Sequence, residues 1–276
     1  MVVPKIIHQI WIGDKPAPET CMETIKKDNI NFEYMRWSQK ELNKLDISKT
    51  LDLKIKCMKE YCGKADIWRY VILKKYGGIF IDADSISIEP LDDFLFNKAF
   101  MAFENEMVRP NLVANGIMAF PPNHGFISML LNHIESNPMQ SPAWQNTGPL
   151  LVTKMLRQYP LQDIQLFPSY LFYPDHHQQV KYQGHGKVYM YQLWGSTNNN
   201  YNSISKETNI HLPKHLHTPN EVININIPEN ISKKQLKDIM NSLKQMDGHY
   251  NIVIDTKHDI SKYLNSTRFI QLSSFP

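Results

Sequence analysis

The stretch KADIWRYVILKKYGGIFIDADSISIEP, Lys64 to Pro90, decides how the chain is to be read. Ala65, Trp68, Val71, Ile72 and Tyr76 recur at helical spacing, which predicts a helix with an apolar stripe. Lys74 and Lys75 fall in its last turn, where the helix dipole favours cations. Gly77-Gly78 follows, and glycine accepts the positive φ that commonly ends a helix. Ile79-Phe80-Ile81 then reads as a short buried strand delivering Asp82-Ala83-Asp84 at its carboxyl end. Open α/β sheets bind ligands outside the carboxyl ends of their strands, so these two acids stand where a site is expected.

Working outward, Val2 to Ile12 is β-branched and apolar, and Gly13 with the Pro16–Pro18 loop ends it, which predicts a largely buried first strand. Cys21 to Lys27 reads as a short helix and Phe32 to Trp37 alternates like a strand. Ser38-Gln39-Lys40-Glu41 has the form of a capping box, in which hydroxyl and carboxylate satisfy orphan N–H groups. Further on, Phe100–Phe103, Gly116–Phe120 and Val188–Leu193 read as strands, and His124–Glu135 and Leu150–Arg157 as helices. Asn198 to Asn202 reads as a flexible Asn-rich loop. From about Thr218 the texture changes. Strands at Val222–Ile227, Asn251–Asp255 and Phe269–Leu272 surround an amphipathic helix at Ser232–Met246, which predicts a small α/β appendage over 218–276 behind a main domain of 1–217.

The chain of 276 residues is 42% hydrophobic and 21% charged, as expected of a globular protein with a sizeable core. A formal charge of +3, without a block of like charges, gives no reason to expect nucleic acid as partner. Cys21, Cys57 and Cys62 cannot pair completely and read as reduced thiols in a cytoplasmic protein. No signal peptide and no run of about 18 apolar residues is visible, so a membrane-linked substrate would be approached from the surface, by a peripheral enzyme.

Two aspartates one residue apart point to the same side of an extended strand. Oxygen-only ligands at the mouth of a cleft suit Mg²⁺ or Mn²⁺, whose shells are commonly completed by phosphate. Alone, the pair fits equally well with one aspartate ending the strand and the other capping a turn. Asp66 and Arg69 share a face of the preceding helix, as a surface ion pair or as a carboxylate and a planar fork for sugar and phosphate oxygens. Trp11 and Trp194 are either core residues or, respectively, a face for a nucleotide base and an indole N–H for a phosphate oxygen.

Two ordered runs carry a resemblance. Pro4-Lys5-Ile6-Ile7-His8-Gln9-Ile10-Trp11-Ile12-Gly13 and, later, Ala65-Asp66-Ile67-Trp68-Arg69-Tyr70 through Gly77-Gly78-Ile79-Phe80-Ile81-Asp82-Ala83-Asp84 resemble glycosyltransferase family 32. Thr147-Gly148-Pro149 resembles a further element of it, and the likeness extends over residues 4 to 200. The resemblance implies a GT-A fold: a Rossmann-like mixed sheet flanked by helices, here with the small α/β appendage. It implies transfer of a hexose or N-acetylhexosamine, with retention, from a UDP- or GDP-linked donor to a glycan, lipid-linked or protein acceptor. By position Trp11 would stack on the base and Ile10 would line its pocket; Asp66 and Arg69 would hold the sugar, with Phe80 beside them. Asp82 would contact ribose, sugar or a metal-bound water, Asp84 would ligate Mn²⁺ or Mg²⁺, and Asn115-Gly116 would lie near the transferred sugar.

The late motif departs from the family pattern. Tyr191-Gln192-Leu193-Trp194-Gly195-Ser196 puts Gln192 where a histidine metal ligand is usual, and Trp194 with Ser196 at the diphosphate. His211, His215 and His217 lie nearby as substitutes or as a solvated loop. Two alternatives stay open. Asp82-Ala83-Asp84-Ser85 also mimics the nucleophile strand of Mg²⁺-dependent haloacid dehalogenase-type phosphatases, and Gln192 is compatible with a non-catalytic nucleotide-sugar-binding protein.

Overall fold

The computed structural model describes residues 2–139, 142–184, 186–206, 221–228, 230–245, 250–255 and 269–271. His211, His215, His217 and the boundary at Thr218 lie outside the described residues. The main sheet contains β1 (Ile6–Ile10), β2 (Glu33–Trp37), β3 (Gly78–Ile81), β5 (Ala99–Phe103), β6 (Val113–Phe120) and β7 (Ile164–Phe167), in the order β2-β1-β3-β6-β5-β7. β1 is parallel to β2 and β3, β7 is parallel to β5, and only β6 runs antiparallel to its neighbours. This is the mixed α/β architecture expected from the sequence. A separate ribbon pairs β4 (Ser85–Ser87) with β8 (Met190–Gln192), so the strand expected over Val188–Leu193 is shorter than its apolar run.

Helices cover the sheet. α1 (Glu19–Asp28) packs against β4 through Cys21, Met22 and Ile25. The capping box at Ser38 is made and opens the single turn α2 (Gln39–Leu42). Ser48 caps α3 (Lys49–Cys57), a helix not anticipated from the sequence because only Leu51 and Ile55 of it are buried. The central helix α4 (Tyr61–Tyr76) is buried over nearly its whole circumference from Ile67 to Leu73. Beside it lie α5 (Gly125–Ser136), capped by His124, the turn α6 (Ala143–Asn146) and α7 (Pro149–Leu156). One core cluster joins α4, α5 and α7 to one face of the sheet, and a second, rich in Phe96, Phe100, Phe167 and Phe172, fills the other. Tyr201–Ile204, which overlaps the end of the loop expected over Asn198 to Asn202, forms the short helix α8, because Tyr201 and Ile204 find apolar partners. In the C-terminal region α9 (Lys233–Gln245) accompanies three parallel strands, β9 (Glu221–Asn226), β10 (Tyr250–Asp255) and β11 (Phe269–Gln271), in the order β11-β10-β9.

The junction of α4 and β3 fixes where the acids stand. Gly77 and Gly78 have φ of +65° and +93°, and a Cβ on Gly78 would lie 2.5 Å from the Ile6 carbonyl oxygen. Only glycine passes this point. His8 on β1 seals it from the side: its Nε2 donates to the Gly77 carbonyl at 2.8 Å and its Nδ1 accepts from Trp37 Nε1 at 3.2 Å. Both partners demand the neutral ring with its proton on Nε2.

Burial pushes the His8 pKa down to about 4, with the Gly77 carbonyl opposing. The unfolded chain, with a histidine pKa of about 6.5, therefore binds more protons between those two values. The contribution of this neutral ring is complete above about pH 6.5 and is lost as pH falls towards about 4. In urea unfolding, the stability advantage of the wild type over His8→Gln is expected to shrink by about 3 kcal/mol from pH 7 to pH 4. A constant difference would show that His8 is not held neutral.

Candidate active site

Asp82 and Asp84 do not sit on an extended strand. β3 ends at Ile81, and the amide of Ser85 donates to the Asp82 carbonyl at 3.1 Å, closing a turn that links β3 to β4. The expectation that both side chains share a strand face is corrected by this turn, which gives each acid its own set of partners. The turn itself is pinned by backbone. The Asp82 amide donates to Gly116 O at 2.9 Å, and Gln9 Nε2 donates to the Asp82 carbonyl at 3.2 Å while its Oε1 accepts from Tyr34.

Arg69 organises one half of the site. It is buried, not on the surface as an i, i+3 ion pair on a helix would ordinarily be, and its guanidinium lies 4.2 Å from the centre of the Phe80 ring. One terminal nitrogen is 2.9 Å from Asp82 Oδ1 and 3.4 Å from Asp66 Oδ1; the other donates to the Asn115 carbonyl. Asp66 accepts from Asn115 Nδ2 at 2.8 Å and from Thr147 Oγ1 at 3.0 Å. Asn115 also donates to the hydroxyl of Tyr70, which donates to Thr147 O at 2.5 Å. Gly116 lets Asp82 close in, since a Cβ there would stand 2.5 Å from Asp82 Oδ2. Asp66, Arg69, Phe80, Asp82, Asn115 and Gly116, nominated separately from the sequence, thus form one contiguous group.

Asp84 forms the other half. It is 3% exposed; Oδ1 accepts from Gln192 Nε2 at 2.9 Å and Oδ2 from the Gly195 amide at 2.6 Å. Burial, reinforced by the Asp82 charge, pushes its pKa up to about 6, although the Gly195 and Gln192 donors oppose. Burial likewise pushes Asp66 up to about 6 against the attraction of Arg69. Asp66 and Asp82 share one guanidinium, and among the described residues no cationic side chain is paired with Asp84. A buried carboxylate without a counter-charge is costly, so this donor set fits a divalent cation accepting Asp84 and Asp82 oxygens. Gln192 does not present its oxygen there: Oε1 accepts from Ser85 Oγ at 2.5 Å and the amide nitrogen faces Asp84. It orients Asp84, which corrects its expected place as a ligand.

The remaining nominees lie around this centre. Trp11 is half-buried, with Nε1 donating to Lys15 O at 2.9 Å and its ring edge-on to Tyr201 at 5.0 Å; Tyr201 in turn feels the charges of Asp84 and Asp82. The Ile10 side chain is turned into the core with Trp37 rather than towards a base. Trp194 has φ of +56°, and its indole N–H is already given to Asp175 O at 2.9 Å, so it is not displayed to a phosphate in this arrangement. Ser196 is exposed on the loop after Gly195. Gln9, Tyr70 and Tyr173 belong to the site and were not foreseen. Gln9 carried a signal, as a polar residue inside an apolar strand, whereas the tyrosines look like core residues until the fold aims their hydroxyls.

A family model described as a glycosyltransferase sugar-binding region containing a DXD motif matches residues 17–101. An uncharacterized glycosyltransferase of Acanthamoeba polyphaga mimivirus is 30% identical over 187 residues, covering 63% of this chain and 74% of the viral protein. Inositol phosphoceramide mannosyltransferase 2 of Schizosaccharomyces pombe is 26% identical over 58% of this chain, which spans only 48% of that protein's length. Among solved structures, the PaToxG glycosyltransferase superposes with a TM-score of 0.48 at 20% identity, covering 57% of this chain and 69% of its own.

Replacing Asp84 by asparagine keeps the shape and removes the uncompensated charge. In EDTA at pH 7 the Asp84→Asn variant is expected to be about 1–3 kcal/mol more stable than the wild type. The wild type, and not the variant, should gain melting temperature on addition of Mn²⁺. An equal Mn²⁺ response in both proteins would show that Asp84 is no ligand.

Proposed function

The chain belongs to the glycosyltransferases whose sugar-binding region contains a DXD motif, and we propose that it transfers a hexose or N-acetylhexosamine from a UDP- or GDP-linked donor to a hydroxyl acceptor, with retention of configuration. The observation that carries this reading is the charge pattern: one guanidinium shared by Asp66 and Asp82, and a buried Asp84 that among the described residues meets N–H donors and no cationic side chain. Asp84 and Asp82 would hold Mn²⁺ or Mg²⁺, which when bound would offset the negative charge of a diphosphate. The chain's own residues do the rest. Asp66 has both oxygens fixed by Asn115 and Thr147, so it offers a rigid acceptor to sugar hydroxyls without having to reorganise. Arg69, clamped over Phe80, pairs with Asp82 and holds it beside Gly116. Trp11, in edge contact with Tyr201, which feels the Asp84 and Asp82 charges, would stack on the base.

Retention is supported by what the carboxylates are doing. Asp66 is held by Asn115 and Thr147 and Asp82 is tied to Arg69, so neither is displayed as a free nucleophile of the kind retaining hydrolases use. The acceptor hydroxyl then attacks from the face that the diphosphate leaves. The same grouping speaks against phosphatase chemistry, which needs Asp82 free to attack phosphorus. The acceptor is proposed as a hydroxyl of a glycan, a lipid-linked glycan or a protein. Among the described residues no helix is long and apolar enough to cross a membrane, and membrane-linked acceptors would on this reading be reached peripherally.

A panel of UDP- and GDP-sugars, with and without Mn²⁺, tests the reading. One nucleotide series is expected to raise the melting temperature only with the metal, and to release sugar slowly without acceptor. Asp82→Ala and Asp84→Ala, folded by circular dichroism, should lose roughly 100-fold or more of that turnover. Variants that keep full metal-dependent transfer would exclude this assignment.

A further inference from the structure

Two chains of contacts leave the sugar-binding acids in opposite directions and meet at one exposed tryptophan. The first is short. Thr147 hydrogen-bonds to Asp66, and Gly148 packs so tightly that a Cβ on it would lie 2.8 Å from Trp144 Cα and 3.3 Å from Asp66 Oδ2. The second runs from β6 to the segment between β5 and β6. The Tyr173 hydroxyl abuts Gly116 on the side of Asp82, and this tyrosine also feels the Glu104 carboxylate. Glu104, whose amide bonds to Leu112 O just before β6, is paired with Arg109 at 3.3 Å. The Arg109 guanidinium lies 5.8 Å from the centre of the Trp144 ring. Trp144 and Asp66 thus both pack against Gly148, and the Arg109 guanidinium stands beside the indole.

Trp144 is 42% exposed, although it sits on a turn of helix whose neighbour Ala143 is fully buried. An indole face left in water beside a guanidinium suits a pyranose ring, whose C–H face is apolar and whose edge carries hydroxyls that accept from N–H donors. The charge balance narrows the class further. Arg109 is offset by Glu104, which also accepts from His176 at 3.2 Å, so the wall supplies donors with little net positive charge. We propose that Trp144 and Arg109 form the acceptor subsite, binding an uncharged saccharide ring stacked on the indole with its nucleophilic hydroxyl directed at the Asp66–Asp82 group. This rests on the transferase reading above and adds the acceptor's chemical class to it.

Two measurements on the full chain separate the proposal from that reading. Without donor, binding is followed by isothermal titration calorimetry with uncharged disaccharides (maltose, lactose, α-1,2-mannobiose and N,N′-diacetylchitobiose) and, in parallel, with myo-inositol 1-phosphate as an anionic probe. At least one disaccharide should bind the wild type, about ten-fold more weakly to Trp144→Ala and less than three-fold more weakly to Trp144→Phe. Arg109→Gln should weaken it by a smaller factor. In transfer assays Trp144→Ala should raise the acceptor KM about ten-fold while the donor KM stays within two-fold. Disaccharide affinity equal in Trp144→Ala and wild type, no disaccharide bound by the wild type, or binding of the anionic probe alone would overturn the subsite. A donor panel that gives neither stabilisation nor sugar release, with disaccharide binding intact, would instead overturn the transferase reading and leave the saccharide platform standing.

Discussion

One buried guanidinium holds the site together. Arg69 touches Asp66, Asp82, the Asn115 carbonyl and the Phe80 ring, and so joins α4, the turn after β3, β6 and β3 itself. Burial works against its charge, and Asp82 and Asp66 outweigh that effect. A cation so placed is stable only because two carboxylates face it, and those carboxylates are tolerated only because it is there. Removing one member would strand the others in an apolar interior, which costs far more than breaking an exposed ion pair. This mutual dependence accounts for a polar cluster inside a helix otherwise packed with Ile67, Trp68, Ile72 and Leu73.

The scaffold around the cluster is arranged to fix backbone more than side chains. Gly77 and Gly78 carry the chain from α4 into β3 in conformations closed to other residues, and His8 locks that crossing from the neighbouring strand. Gln9, next along β1, reaches the Asp82 carbonyl, and Gly116 on β6 receives the Asp82 amide. The acidic turn is thus held by strands on both sides, and its side chains are left for chemistry. Fixed acceptors lower the reorganisation that a reacting sugar would otherwise demand of its surroundings.

Much of this was legible in the sequence because it rests on local rules. The Gly-Gly stop, the capping box at Ser38, the apolar first strand and the helix bearing Asp66 and Arg69 follow from spacing and residue type, and the observed elements agree with them. What could not be read depends on long-range partners. Whether Asp82 and Asp84 share a strand face or flank a turn is decided by where β3 stops, with the Asp82 amide donating to Gly116 O on β6 and the Ser85 amide closing the turn on the Asp82 carbonyl. Gln192 looked like a ligand by position, yet Ser85 takes its oxygen from across the β4–β8 ribbon. The indole of Trp194 is claimed by Asp175, and the Asn-rich stretch becomes helical at Tyr201 because Trp11 offers an edge to pack on. Amphipathic spacing is silent about such pairings, as it is about α3, whose buried face is only two side chains wide.

The two halves of the site differ in how their charge is met, and the difference assigns their roles. Asp66 and Asp82 are compensated from within the chain, so their geometry is set before any substrate arrives. Burial raises the proton affinity of both Asp66 and Asp84, but Asp66 has Arg69 opposing it, whereas among the described residues Asp84 is met by the Gly195 amide and Gln192 and by no cationic side chain. A carboxylate held in that condition stores free energy that a divalent cation releases on binding, the reverse of an acid already paired with lysine or arginine. The residue that the fold leaves unsatisfied is therefore the one through which cation and diphosphate would be admitted together. Asp66 and Arg69, whose charges meet within the chain, are the residues we assign to the sugar, because their positions are fixed beforehand.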